Sequence, residues 1–251
     1  MATAAAQPGK RTNLVTSPPG RRFDNLFFSA MALLILGSVF LGFAHTYYLA
    51  GVFRAPLPSF IVHVHGAAFS CWILLLVTQT ALVSAGRVDM HRRLGILGFL
   101  LACSMVILGV LAATNSLARG FAPPGLDPLT FYVIPITDMA IFATLIFFAF
   151  RNRSDPSGHK RFILIATIAL LIAAIARWPF TAFLGKPIAA TLFSYVFLLL
   201  LVAYDLWSIR KVHRATLWAG VFLVVVQQIR VPIGQTATWH AFAGWARSLA
   251  S

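Results

Sequence analysis

The chain has 251 residues, of which 59% are hydrophobic and only 10% charged, against about 25% charged in an ordinary soluble domain. A water-soluble fold of this length could not hide that much apolar surface, so a soluble enzyme is excluded. The net charge of +14 would suggest nucleic acid in a soluble protein, but here its placement along the chain points to membrane topology instead.

Residues 1–22, rich in Ala, Thr, Pro and Arg, read as a disordered tail. Seven apolar stretches follow, near 25–50, 59–83, 94–117, 129–150, 161–184, 188–209 and 215–233. Each is long enough to cross a hydrocarbon core of about 30 Å. Inside lipid the backbone N–H and C=O groups must be satisfied within the segment, so these stretches are expected to be helices. The last stretch places Trp239, Phe242, Trp245 and Leu249 at helical spacing, the pattern of an amphipathic helix anchored at an interface by tryptophan. The expected architecture is all-α. A tail (1–22) precedes a seven-transmembrane-helix bundle (23–233), and an interfacial amphipathic segment (234–251) follows it.

Basic residues fix the expected orientation. Lys10, Arg11, Arg21 and Arg22 precede the first span. Arg87, Arg92 and Arg93 lie between the second and third, and Arg151, Arg153, Lys160 and Arg161 between the fourth and fifth. Arg210, Lys211 and Arg214 lie between the sixth and seventh. Only Arg54, Arg119, Arg177, Lys186, Arg230 and Arg247 belong to the other side. The positive-inside rule then puts the N-terminus in the cytoplasm and the C-terminus outside. The basic side meets anionic lipid, and no nucleic-acid partner is expected. Cys71 and Cys103 fall mid-membrane and read as reduced, small apolar residues.

Ionisable groups inside a span are costly and by default mark function. Most of them fall in the outer leaflet although they come from six spans: His45, His63, His65, Asn115, Asp138, Arg177, Gln227, Gln228 and Arg230. Pro135 near Asp138 and Pro179 near Arg177 are expected to break their helices beside this layer. His63 and His65 point about 200° apart on a helix, and His65, followed by Gly66, is expected to face inward. His45 and His65 suit the two axial positions of haem b, with Arg177 and Arg230 on the propionates. The same histidines with Asp138 suit a transition-metal ion. A third reading has no cofactor: a polar network in which Asp138 pairs with Arg177. A second layer on the basic side comprises His91, His159, His213 and Asp205. Two of those histidines are candidates for a second haem, and Asp205 is expected to pair with Arg210, Arg214 or a histidine.

Five motifs occur in order: His63–Val64–His65–Gly66, Asp89–Met90–His91–Arg92–Arg93–Leu94–Gly95, His159–Lys160–Arg161, Ala176–Arg177–Trp178–Pro179 and Tyr204–Asp205–Leu206–Trp207. Over about residues 22 to 245 this series resembles a widespread bacterial family of uncharacterised polytopic membrane proteins. It is distantly similar to membrane proteins that assist assembly of haem–copper oxidases and to b-type cytochrome membrane domains. Phe162–Ile163 stands where the assembly proteins place Leu–Met. The resemblance implies a bacterial inner-membrane protein of redox chemistry or respiratory assembly, with quinone or other membrane subunits as partners. The leading expectation is thus a redox-linked membrane protein that binds haem b, or else a metal ion, in its outer leaflet; the alternatives are a small-solute or proton-coupled transporter, or a non-catalytic subunit of a larger complex.

Overall fold

A computed structural model describes residues 19–56, 58–184 and 186–250, so the expected disordered tail lies almost entirely outside the described residues. Among the described residues ten α-helices follow one another: α1 Pro19–Phe43, α2 Ala50–Phe53, α3 Phe60–Ser84, α4 Val88–Ala118, α5 Pro128–Arg151, α6 Pro156–Ala169, α7 Leu171–Ile175, α8 Pro187–Ile209, α9 Arg214–Gly234 and α10 Ala237–Ser248. A π-helical turn, Ala44–Tyr48, extends α1. Seven helical spans are long and apolar enough to cross a membrane: Arg22–Tyr48, Phe60–Ser84, Val88–Ala118, Pro128–Arg151, Pro156–Ile175, Ile188–Ile209 and Arg214–Gly234. The protein is therefore a seven-helix integral membrane bundle.

Helix starts follow local capping chemistry. Asp127 and Asp155 each accept two backbone N–H bonds at the head of α5 and α6, and a proline occupies the first helical position after each. Thr236 caps α10 by accepting from Trp239 N–H. These caps shift the expected boundaries. The fifth span starts at Pro156, not 161, and its helix ends at Ile175, because Trp178–Pro179 terminates the helix instead of bending it. Arg177 thus sits beyond the helix. The third span begins at Val88 and carries His91 within its first turn. Pro135 is accommodated inside a continuous α5.

Helices α1, α3, α4, α5 and α9 pack in sequence around the bundle. The fifth span, α6–α7, runs through the interior against α1, α5, α8 and α9. Its membrane window is 67% buried, compared with 17% for α3. Ile165, Ile168, Leu171 and Ile175 are sealed in its core. Gly42 meets the backbone of Ala174, and any Cβ there would overlap that carbonyl, so α1 and α7 touch main chain to main chain. Lipid offers helices no hydrophobic incentive to associate, so such close approach is what binds the bundle. Leu33, Leu97, Leu100, Leu192 and Leu199 point outward, as lipid-facing residues do.

The principal core is built from all seven spans, and a second, smaller cluster of Ala113, Leu117, Tyr132, Ala243 and Ala246 sits at the C-terminal end of the bundle. There α10 docks on α4 and α5: Trp239 Nε1 donates to the Leu129 carbonyl at 2.9 Å, while Phe242, Trp245 and Leu249 remain exposed. Between the two clusters lies a polar layer.

Candidate functional sites at the two ends of the bundle

The end formed by the α3–α4, α5–α6 and α8–α9 turns holds a dense ionic lattice. Arg161 on α6 is 2% exposed and Asp205 on α8 is fully buried. Arg161 donates to Asp205 Oδ1 through Nε (3.0 Å) and a terminal nitrogen (2.5 Å). Its other terminal nitrogen donates to the carbonyl and hydroxyl oxygens of Ser157, both at 2.8 Å. Asp205 Oδ2 accepts from the His213 backbone N–H (3.0 Å) and the Thr216 hydroxyl (2.6 Å). Both charges are therefore saturated, which a buried pair requires if it is not to cost the fold its desolvation penalty. Asp24 of α1 pairs with Lys160 and accepts from the Tyr204 hydroxyl at 3.0 Å. Lys160 also lies over the Phe28 ring, 4.6 Å from its centre.

This lattice corrects the expected pairing of Asp205 with Arg210 or Arg214; Arg161 is the partner. Arg161, which the sequence places among the basic residues between the fourth and fifth spans, lies instead inside α6 and is buried. His213 meets Asp205 through its backbone, while its Nδ1 caps α9 by accepting from Ala215 N–H at 3.1 Å. Burial, with Arg161 nearby, holds the His213 imidazole below its usual pKa.

Also at this end, the His91 and His159 rings meet edge to face, 6.3 Å between centres. His159 Nδ1 lies 2.8 Å from the Ala149 carbonyl and so carries the proton that it donates there. Gln79 Nε2 donates to the His91 carbonyl at 3.3 Å. His91 Nδ1 and Gln79 Oε1 are buried with no protein partner.

The polar layer at the opposite end is assembled differently. Asp138 on α5 pairs with Arg230 on α9 at 2.6 Å, their side chains 13% and 3% exposed. The expected pairing with Arg177 is not made; Arg177 is exposed, donates to the Ala173 carbonyl at 2.6 Å and lies over the Phe43 ring. One turn before Arg230, Gln227 is only 4% exposed, and neither its amide nitrogen nor its amide oxygen has a protein partner. On α3, His65 is half-buried against Phe69, ring centres 4.2 Å apart, and its buried Nδ1 is also unpartnered.

The remaining candidates lie at the rim. His45 is exposed in the π-helical turn and stacks on Phe53, ring centres 4.1 Å apart. His63 is exposed, and its carbonyl accepts from the Tyr47 hydroxyl at 3.1 Å. The Tyr47 ring covers Gly66, where an added Cβ would come within 3.0 Å of it. Tyr48 donates to Ser70 at 2.8 Å, because the Ser70 hydroxyl is itself spent on the Gly66 carbonyl. Ser59 donates to the Asn115 side chain at 3.1 Å. Gln228 donates to the Tyr195 hydroxyl at 2.9 Å. Sequence reasoning passed over Tyr47 and Tyr48; two hydroxyls next to His45 at the end of an apolar run were the available signal.

His45 and His65 thus have different ring partners and different exposure, and Asp138 is committed to Arg230. Among the described residues no three His, Cys, Asp or Glu side chains gather into a metal site. Below the layer, Asp127 is held under the usual carboxylate range by its hydrogen bonds to Thr130. The Thr130 hydroxyl donates to the Gly234 carbonyl (3.2 Å) and receives the His240 ring (Nε2, 3.0 Å), tying α5, α9 and α10 together.

No known protein family matches the chain, and no curated protein or solved structure is significantly similar to it.

Proposed function

We propose that the protein is a bacterial inner-membrane carrier, its N-terminus cytoplasmic and its C-terminus periplasmic, that takes a small hydrogen-bonding solute and a proton into the polar layer around Asp138, Arg230 and Gln227. One observation carries the reading: Gln227 is almost wholly buried with both amide atoms unmatched, one turn from a buried ion pair. Each unmatched buried polar atom costs about 1–3 kcal/mol, and among the described residues Gln227 alone bears that cost on both atoms of one amide. A solute carrying both a donor and an acceptor satisfies the amide. Asp138 is the group that exchanges a proton when its contact with Arg230 loosens, a role intramembrane carboxylates commonly take. The orientation rests on the uneven distribution of Lys and Arg between the two ends.

The test uses purified protein in vesicles under an imposed pH gradient, challenged in turn with small amides, amino acids and carboxylic acids. A solute-dependent collapse of the gradient that disappears in Asp138→Asn supports the carrier. Collapse unchanged in that variant, or none with any solute, defeats it.

A second reading, redox chemistry on haem b or a transition metal, is favoured by the His91–His159 pair and not by His45 with His65. His159 donates one ring nitrogen to a carbonyl, the usual arrangement behind a metal-ligating histidine, which leaves Nε2 as its lone-pair nitrogen. A visible spectrum and metal analysis of the purified protein decide it. A Soret band or stoichiometric metal that vanishes in His159→Ala favours redox function, and a colourless, metal-free preparation removes it.

A further inference from the structure

Helix α8 packs mainly on α7 and meets both α6 and its own successor, α9, only sparsely. The space between α8 and α9 is an apolar groove of about 340 Å³. Leu198 and Val202 form one wall, and Gly220, Val221, Val224 and Val225 the other. The one polar side chain along it, Thr216, already donates its hydroxyl to Asp205. Val212, in the α8–α9 turn, belongs both to this groove and to a second cleft of about 650 Å³ at its mouth. The cleft is of mixed character, with Lys211, Arg214 and Asn152 beside Phe162 and the exposed Trp218 on its walls. Asp155 also lines it, but that carboxylate is occupied by the Ser157 and Gly158 backbone N–H groups (3.0 and 3.1 Å) at the head of α6.

An apolar slot at membrane depth that opens onto two basic side chains and an interfacial tryptophan has the chemistry of one kind of molecule. We propose that the α8–α9 groove and its mouth form a binding site for one anionic glycerophospholipid. An acyl chain lies along Val221, Val224 and Val225, and the phosphate sits between Lys211 and Arg214. Leu198 packs over Gly220, 3.2 Å from where a Cβ would be, and closes the inner end of the groove. Basic pockets between transmembrane helices on the cytoplasmic side select anionic headgroups, and this end is the one rich in Lys and Arg. By filling the gap, the lipid supplies the packing that α8 and α9 do not give each other. The site is independent of the polar layer at the opposite end.

Full-length protein in a neutral detergent is titrated with phosphatidylglycerol, phosphatidylcholine and inorganic phosphate, following lipid adducts by native mass spectrometry and the thermal midpoint. Two basic groups facing an anionic headgroup correspond to roughly thirtyfold in affinity, so phosphatidylglycerol should bind about that much more tightly than phosphatidylcholine and raise the midpoint. Lys211→Ala with Arg214→Ala should erase the preference for phosphatidylglycerol over phosphatidylcholine. Val221→Trp, which fills the groove and keeps both charges, should abolish the adduct. Equal binding of the two lipids, or a preference that survives both variants, overturns the proposal. So does full competition by inorganic phosphate, which would identify an anion site with no role for the acyl chain.

Discussion

The two ends of the bundle treat buried charge in opposite ways. At the basic end, Asp205 accepts four hydrogen bonds and Arg161 is matched on three of its nitrogens. At the other end, Asp138 and Arg230 share a single contact, and Gln227, one turn from Arg230, leaves both amide atoms unmatched. Saturation rigidifies, because every alternative arrangement loses bonds that only this one makes. Incomplete matching leaves room for a ligand or a proton and lowers the barrier to rearrangement. The same residue types serve as framework in one place and as a site in the other, and the difference lies in how many partners each has.

That contrast can be broken by experiment. The largest expected effect is on the lattice: Asp205→Ala strands a buried guanidinium, which should cost about 3–5 kcal/mol and abolish accumulation of folded protein. Arg161→Met combined with Asp205→Leu should recover most of that loss, as measured by detergent-solubilised yield and thermal midpoint. Comparable instability in the double variant would mean that the pair does more than neutralise itself.

Arg230→Met should be milder, because Asp138 can take up a proton once its partner is gone. Asp138→Asn should be milder still, with the thermal midpoint close to wild type and activity lost. If Asp138→Asn unfolds the protein as severely as Asp205→Ala, the polar layer is framework too.

The smallest expected effect concerns pH. Folded His213 titrates below its ordinary value and caps α9 with an unprotonated Nδ1, so below about pH 6.5 the unfolded chain binds a proton that the folded one refuses. Stability should be fully present above that pH and decline modestly as pH falls through it. His213→Asn, which keeps a cap acceptor and cannot titrate, should flatten the decline in the acid thermal-melting profile. A profile identical to wild type would separate His213 from the acid response.

Seven spans and the existence of a polar layer were legible in the sequence because both are one-dimensional properties: run length, and depth counted from a helix end. Asp127–Pro128 and Asp155–Pro156 carried the helix starts as well, although only a reading of the caps moves the fifth span back to residue 156. Pairing was not legible. Depth says that Asp138 lies near the level of both Arg177 and Arg230, but which helices are neighbours decides the partner, and α5 packs on α9. The interior course of α6–α7 was hidden for the same reason, and with it the burial of Arg161. His45 fell outside the bundle because the π-helical turn rotates the end of α1, a local change that apolar periodicity does not encode.

The account turns on Gln227. If its unmatched amide is kept for a ligand, Gln227→Leu removes a cost from the empty fold and a contact from the loaded one. The thermal midpoint of that variant should equal or exceed wild type, while solute-dependent proton flux in vesicles is lost. A lower midpoint with flux intact would show that the amide serves the fold, and would contradict the division between framework and site.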